Sequence, residues 1–384
     1  MSKKLLIVHG GGPTAVLNAS LYGAVTKAGE SDEISEVYGA QGGTNGLLKE
    51  KFLRLDMLSR DQLDKLRYTP GTVIGTSRFP LSEADYARMA DICLQNGFQY
   101  VLFSGGNGTM DTCLKMHRAC EKHGILVAGI PKTVDNDISA TDHAPGYGSA
   151  ARFIAMACKE VAEDVRSMPI HVSILEAMGR NAGWITAAAA LARKGQEDAP
   201  HIICFPERPF DEDAFLQRVE TLHQRYGGVV VVASEGLKGK SGEPVTPAIF
   251  KSGRATYYGD VGTHLAGLVI RRLGIKARSE KPGILGRASI MMQSPVDREE
   301  AVQAGAEAVR SVLEGQSGIM TGFERLSGEP YRMRIIRIPL ETAALTERTL
   351  PENYIAEDGF DVTPEFLRWA RPLIGGPLPE FFAW

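Results

Sequence analysis

Cysteine is scarce and scattered in this 384-residue chain: Cys93, Cys113, Cys120, Cys158 and Cys204 are odd in number and form no CxxC pair. That pattern excludes a disulfide framework and a zinc ribbon. Free thiols, buried or half-buried in a reducing compartment, are expected instead. The eight histidines show no HExxH or other ligand spacing. No apolar run approaches the roughly 18 residues that cross a bilayer. Behind Met1-Ser2-Lys3-Lys4 only Leu5 to Val8 precede a glycine cluster, too short for the apolar region of a secretory signal, so a cytoplasmic enzyme is expected. An excess of charge of one sign is missing too. With 43 Lys plus Arg against 46 Asp plus Glu, the net charge is -3, and nothing attracts the whole molecule to nucleic acid or to anionic lipid. No repeat or Pro/Ser-rich linker marks a domain boundary, although the length suggests two domains.

Glycine is what the chain has in excess, 42 residues, about 11% against a usual 7%. These glycines do not form spacers; they cluster directly behind short apolar runs. The runs are Leu5 to Val8, Tyr100 to Phe103, Ile125 to Ile130, Val172 to Leu175, Ile202 to Phe205 and Val229 to Ala233. Being apolar throughout rather than alternating, they predict strands covered on both faces, as in a parallel sheet. Asn18 to Lys27, Asp111 to Lys122 and Ala150 to Val165 carry apolar residues at helical spacing. Strand alternating with helix predicts a doubly wound α/β architecture, whose ligands sit beyond the carboxyl ends of the strands.

The segments behind the strands are therefore the candidate site. Gly10-Gly11-Gly12-Pro13-Thr14 and Ser104-Gly105-Gly106-Asn107-Gly108-Thr109 each join a strand to a helix. There, backbone amides approach an anion closely and a helix amino end favours negative charge. Two such clusters predict a bound polyphosphate, yet neither fits GxxxxGK[ST] or GxGxxG. Lys132-Thr133-Val134-Asp135-Asn136-Asp137 follows another strand. Its carboxylates are two residues apart and would project to one side of an extended segment. One could take a proton from an attacking hydroxyl and the other hold Mg2+, with Lys132 neutralising phosphoryl charge. Arg78, behind Gly71 and Gly75, adds a cation. Met178-Gly179-Arg180 and Glu235 look like substrate-side groups, Arg180 for an anion and Glu235 for sugar hydroxyls. The chemistry these residues predict is Mg2+-assisted phosphoryl transfer to a hydroxyl.

The same residues resemble the phosphofructokinase family, enzymes that move a phosphoryl group from ATP or pyrophosphate to the 1-hydroxyl of fructose 6-phosphate. The resemblance runs from Gly10 to Ala19 through Gly75 to Phe79, Gly105 to Thr109 and Pro131 to Asp137. It continues through Thr141-Asp142-His143, Gly146-Tyr147-Gly148, Glu176 to Trp184 and Lys281 to Arg287. Asp361-Val362-Thr363 and Pro372 to Gly376 resemble its longer branch, which includes the pyrophosphate-dependent enzymes. It implies Asp135 as general base, Thr133 as support for the transferred group, and Arg78 and Lys132 as the charges that assist transfer. Gly11, Gly12, Arg78, Gly105, Gly106, Asn107, Gly108 and Thr109 would face the donor, and Asn107 and Asp137 the Mg2+. On the acceptor side it implies Thr133, Asp135, Met178, Gly179, Arg180 and Glu235, with Arg278, Lys281 and Arg287 supplying charge for the distal phosphate.

Donor and acceptor each retain an alternative. Gly108 stands where a carboxylate accompanies pyrophosphate use in the family, which leaves room for ATP, whereas Lys132 is typical of pyrophosphate enzymes. ATP is the expected donor and pyrophosphate the alternative. By the resemblance, His171 replaces an arginine that in bacterial ATP enzymes reaches across to a neighbouring subunit's sugar phosphate, and Ile284-Leu285-Gly286-Arg287-Ala288-Ser289 departs from the usual phosphate-binding segment. His171 could supply charge in turn, and another anionic ketose such as sedoheptulose 7-phosphate or 6-sulfofructose is the alternative acceptor. The implied fold is two doubly wound domains with largely parallel sheets and an active site in the cleft between them. Residues 1–140 with part of the C-terminal region would form the phosphoryl-donor domain, about 141–320 the sugar-phosphate domain, and 321–384 a C-terminal extension. A homodimer or homotetramer is implied, with no nucleic acid and no membrane partner. A nicotinamide-dependent dehydrogenase would share the sheet but lacks GxGxxG. A regulatory homologue without turnover is disfavoured by the presence of Asp135, Asp137, Arg78 and Arg180.

Overall fold

The computed structural model describes residues 3–195, 197–252, 255–343 and 347–382. It divides into two compact units, residues 1–147 with 288–348, and residues 148–287 with 349–384. The strands in chain order are β1 (Lys3–His9), β2 (Ile34–Ala40), β3 (Phe52–Arg54), β4 (Phe98–Gly105), β5 (Leu126–Pro131), β6 (His171–Ala177) and β7 (Ile202–Cys204). They continue as β8 (Val229–Ser234), β9 (Ala248–Ser252), β10 (Ala255–Tyr258), β11 (Lys276–Glu280), β12 (Ile319–Gly328) and β13 (Tyr331–Pro339).

In the first unit a seven-stranded sheet runs β13-β12-β5-β4-β1-β2-β3. β12, β5, β4, β1 and β2 run parallel to one another, and the edge strands β3 and β13 pair antiparallel with β2 and β12. The unbroken apolar runs have a direct cause. Leu6, Val8, Val101, Phe103 and Val127 belong to one buried cluster, and Leu5, Ile7, Tyr100, Leu102, Ala128 and Ile130 to another. Alternate residues thus feed two cores, one on each face of the sheet.

Two helices of this unit meet through glycines. A Cβ on Gly23 of helix Leu17–Gly29 would lie 1.9 Å from the Val302 carbonyl oxygen, and one on Gly305 of helix Pro295–Leu313 would lie 2.0 Å from that of Ser20. Backbone packs on backbone, which only glycine permits. This packing returns helix Pro295–Leu313 to the first unit. The proposed boundary near 320 therefore moves to 287/288.

The second unit holds a four-stranded parallel sheet, β11-β6-β8-β7, whose β6 and β8 are buried along their whole length. Its helix Glu212–Tyr226 begins where the Asp211 carboxylate accepts the N–H groups of Asp213 and Ala214, and ends at Gly227 with φ 74°. Residues 321–384 do not form a separate extension. β12 and β13 complete the first sheet, whereas Phe366 and Trp369 join Trp184 in an aromatic cluster, with Trp184 and Trp369 ring centroids 4.8 Å apart. All five cysteines are free and buried, and burial raises the thiols of Cys120, Cys158 and Cys204 to about 12. No helix among the described residues is long and apolar enough to cross a membrane.

Candidate active site

β1, β4 and β5 are neighbours in the first sheet, so the segments behind them emerge side by side. Gly10 N–H donates to the Ser104 carbonyl at 2.9 Å, and Lys132 N–H to that of Gly105 at 2.9 Å. The two glycine clusters share one packing partner. A Cβ on Gly10 would lie 2.3 Å from Thr109 Oγ1, and one on Gly105 2.1 Å from it. Lys132 is buried, and its ammonium donates to the Gly12 carbonyl at 2.6 Å. Thr76 Oγ1 donates to the Gly11 carbonyl at 2.8 Å, and Ser77 bridges to Gly10. These contacts bring the Arg78 segment beside the first cluster and leave the Arg78 side chain exposed. Gly106 is the N-cap of helix Asn107–Glu121, which has neither a side-chain cap nor an acidic residue in its first turn. Its amino end therefore lies beside two glycine clusters and a lysine with no capping side chain of its own, an arrangement that suits phosphate. His9, beneath them, stays neutral, because burial and then nearby Lys132 lower its pKa to about 3.

The segment behind β5 bends rather than extends. Residues 134 and 135 form a bend and Asn136 is left-handed at φ 53°, so alternation along a strand does not set the directions of Asp135 and Asp137. Hydrogen bonds do. Thr133 Oγ1 accepts the Asp135 N–H at 3.1 Å and donates to Asp137 Oδ1 at 2.9 Å. Asn107 Nδ2 donates to the carbonyl and to Oδ2 of Asp137, each at 3.0 Å. Asp137 is buried, whereas Asp135 is half-buried.

The second unit holds the expected acceptor-side residues other than Thr133 and Asp135. Glu235 follows β8, and its Oε1 accepts the N–H groups of Gly179 and Arg180 behind β6 at 3.2 and 3.3 Å. Arg180 is left-handed at φ 49°, and a Cβ on Gly236 would lie 1.7 Å from its carbonyl oxygen. Glu235 thus shapes the loop that presents the exposed Arg180. Met178 lines an apolar pocket with Phe153, Ile154, Glu176 and Gly286. Arg287 follows on helix Leu285–Ala288, half-buried, with its Nε unpartnered. Lys281 lies 3.1 Å from Glu176 Oε1 and also pairs with Asp260, so two carboxylates match its charge. Arg278 is exposed in the middle of β11, opposite Ser173 and 3.9 Å from Glu280. His171 starts β6, buried, about 20 Å of strand away from Met178, so its expected role toward a neighbouring subunit does not involve this loop of its own chain.

Residues 4–312 match the family described as Phosphofructokinase. The chain belongs to the phosphofructokinase family. It is a phosphotransferase of that type. It is 37% identical to the pyrophosphate–fructose 6-phosphate 1-phosphotransferase of Xanthomonas campestris pv. campestris, over 98% of this chain and 92% of the relative. It is 32% identical to the sulfofructose kinase of Alkalicoccus urumqiensis, over 92% of each. The crystal structure of the pyrophosphate-dependent phosphofructokinase from Marinobacter aquaeolei superposes with a TM-score of 0.90 at 35% identity, covering 99% of this chain and 94% of that one.

The metal that family membership implies is Mg2+. Among the described residues no three His, Cys, Asp or Glu stand together as a ligand set. Asn107 Oδ1 is buried without a partner next to Asp137, an orphaned acceptor of the right chemistry. Sequence reasoning missed Glu207, which is half-buried and accepts the Gly183 N–H at 2.7 Å and the Leu350 N–H at 2.8 Å. Burial raises its pKa. No local pattern marks such a carboxylate, because its partners come from two other segments.

Proposed function

We propose that this phosphofructokinase-family chain transfers a phosphoryl group from ATP to the 1-hydroxyl of fructose 6-phosphate, with Mg2+. Donor groups would lie on the first unit, at Gly11, Gly12, Arg78, Gly105 to Thr109 and Lys132. Acceptor groups would lie on the second, at Met178, Gly179, Arg180, Glu235, Arg278, Lys281 and Arg287. The Asp135 carboxylate takes the proton from the 1-hydroxyl as its oxygen bonds to phosphorus, and the bond from phosphorus to the leaving diphosphate oxygen breaks. Lys132, Arg78 and the amino end of helix Asn107–Glu121 offset the charge of the transferred group and of the leaving oxygen. Thr133, whose hydroxyl already bridges Asp135 N–H and Asp137, keeps the base in register. Asn107 and Asp137 would hold Mg2+, which supplies further charge neutralisation when bound.

The observation that carries ATP is Gly108. A Cβ built there meets no atom within 4 Å, so the first turn of the helix leaves space where a side chain would intrude on a nucleotide. Pyrophosphate is the second reading, favoured by Lys132 and by the donor named for the Xanthomonas relative. A sulfonated ketose is favoured as alternative acceptor by the Alkalicoccus relative. Purified protein assayed with ATP and pyrophosphate separately, against fructose 6-phosphate, sedoheptulose 7-phosphate and 6-sulfofructose, tests all of these. Turnover with pyrophosphate and none with ATP overturns the donor; turnover of a different ketose alone overturns the acceptor.

A further inference from the structure

Behind the catalytic segment the chain returns through Thr141 to Gly146, and this return loop is bonded to the segment directly. Thr133 N–H donates to the Pro145 carbonyl at 3.0 Å, and Ala144 N–H to Asn136 Oδ1 at 3.0 Å. Asn136 is the left-handed residue between the two aspartates. Its conformation costs energy unless neighbours hold it. Arg348 adds a strut, its N–H donating to the Asp137 carbonyl at 2.8 Å and its Nη1 to the Asp142 carbonyl at 2.7 Å.

The return loop is anchored from its other side by buried charge. His143 Nδ1 lies 2.9 Å from Asp142 Oδ2, and its Nε2 lies 2.7 Å from Glu300 Oε2 on helix Pro295–Leu313. A ring whose two nitrogens both face carboxylates donates twice and is an imidazolium. Burial opposes that charge, but Glu300 and Asp142 outweigh it and raise the His143 pKa to about 9. Around it, Arg325 Nη2 is 3.0 Å from Asp142 Oδ2, Tyr331 donates to Glu300 at 2.6 Å, and the Phe323 ring stacks on the imidazole with centroids 4.9 Å apart. The network therefore joins the loop to a helix and to both strands of the β12–β13 hairpin. Removing one member would leave a buried carboxylate uncompensated.

We propose that His143 is a positioning residue for phosphoryl transfer: its bridge between Asp142 and Glu300 holds the Thr141–Gly146 loop, and through Thr133 and Asn136 that loop fixes the Asp135 carboxylate. The inference rests on Asp135 acting as the base. His143 lies outside the donor and acceptor residues named above, and its ring nitrogens face Asp142 and Glu300, so its effect is on the geometry of the base rather than on binding.

The test compares His143→Gln with the parent by steady-state kinetics and by amide hydrogen exchange of peptides spanning residues 131–147. The expected result is a kcat lower by about 10- to 100-fold, with donor and acceptor KM within about twofold, as misplacement of a reacting group predicts. Exchange should accelerate in those peptides and not across the second unit. A kcat within about twofold of the parent, or unchanged exchange in 131–147, overturns the proposal. Should His143→Gln not fold, Tyr331→Phe removes only one hydrogen bond to Glu300. It should accelerate exchange in the same peptides, and unchanged exchange there overturns the proposal equally. Exchange needs no substrate, so a parent protein that phosphorylates no ketose would sink the functional reading while the role of His143 in holding the loop is still decided.

Discussion

The side-chain amide of Asn107 donates to both the carbonyl and the carboxylate of Asp137, each at 3.0 Å. One residue opens the helix behind β4 and the other ends the bend behind β5, so this pair joins that helix to the segment proposed to carry the base. It also sets Asn107 Oδ1 apart as a buried acceptor without a partner. Asp137→Asn keeps the volume and removes the charge. The Mg2+ concentration for half-maximal rate should rise by about 10-fold or more, and an unchanged Mg2+ requirement would remove Asp137 from the metal site.

Asp135 is the half-buried carboxylate of the segment. Asp135→Asn should lower kcat by about 10²- to 10⁴-fold, the usual worth of general-base catalysis. KM should change little, because the lost interaction is made in the transition state. A variant that retains parental kcat would refute the assignment.

Gly108 has no atom within 4 Å of a Cβ built on it, so Gly108→Asp is tolerated by the fold, and an acidic residue in the first turn of a helix is mildly stabilising. Any kinetic effect therefore reports on the ligand. The variant should lose at least about 10-fold in kcat/KM for ATP, the equivalent of roughly 1.4 kcal/mol. Identical ATP kinetics would count against the steric argument for the nucleotide.

His143 links stability to pH. Its folded pKa of about 9 exceeds the ordinary 6.5, so its contribution is complete below about pH 6.5 and is lost as pH rises through 9. The groups facing it are Asp142, Glu300, Arg325 and Tyr331. Asp142 is held well below its ordinary value despite burial, by His143 and then Arg325, and matters only in acid; Tyr331 is raised, chiefly by burial, and matters only in strong base. The thermal midpoint should fall between pH 6.5 and 9, and His143→Gln should flatten that part of the profile. A parallel fall in both proteins would place the transition elsewhere.

Gly305→Ala inserts a Cβ 2.0 Å from the Ser20 carbonyl oxygen, where backbone must move. Overpacking of this kind costs about 1–3 kcal/mol. Chemical denaturation should report that loss, and a variant as stable as the parent would show that helices Leu17–Gly29 and Pro295–Leu313 separate without cost.

The sequence alone determined the α/β class, because strands buried on both faces must be apolar at every position, as Leu5 to Val8 and Val229 to Ala233 are. It also pointed to the strand-end glycines, since backbone that approaches an anion or another backbone excludes side chains. β13 escaped that reading, because as a half-exposed edge strand it alternates Arg332 and Arg334 with Tyr331, Met333 and Ile335 and carries Arg337 further on. Only the tertiary structure decided the second crossing between units, which depends on Gly23 and Gly305 meeting helix backbone far along the chain. Only it showed that Asn136 breaks the extended segment and that Glu300 reaches His143 across 157 residues. Periodicity records which faces are buried; the pairing of buried charges depends on which distant elements pack together, and no local pattern carries that.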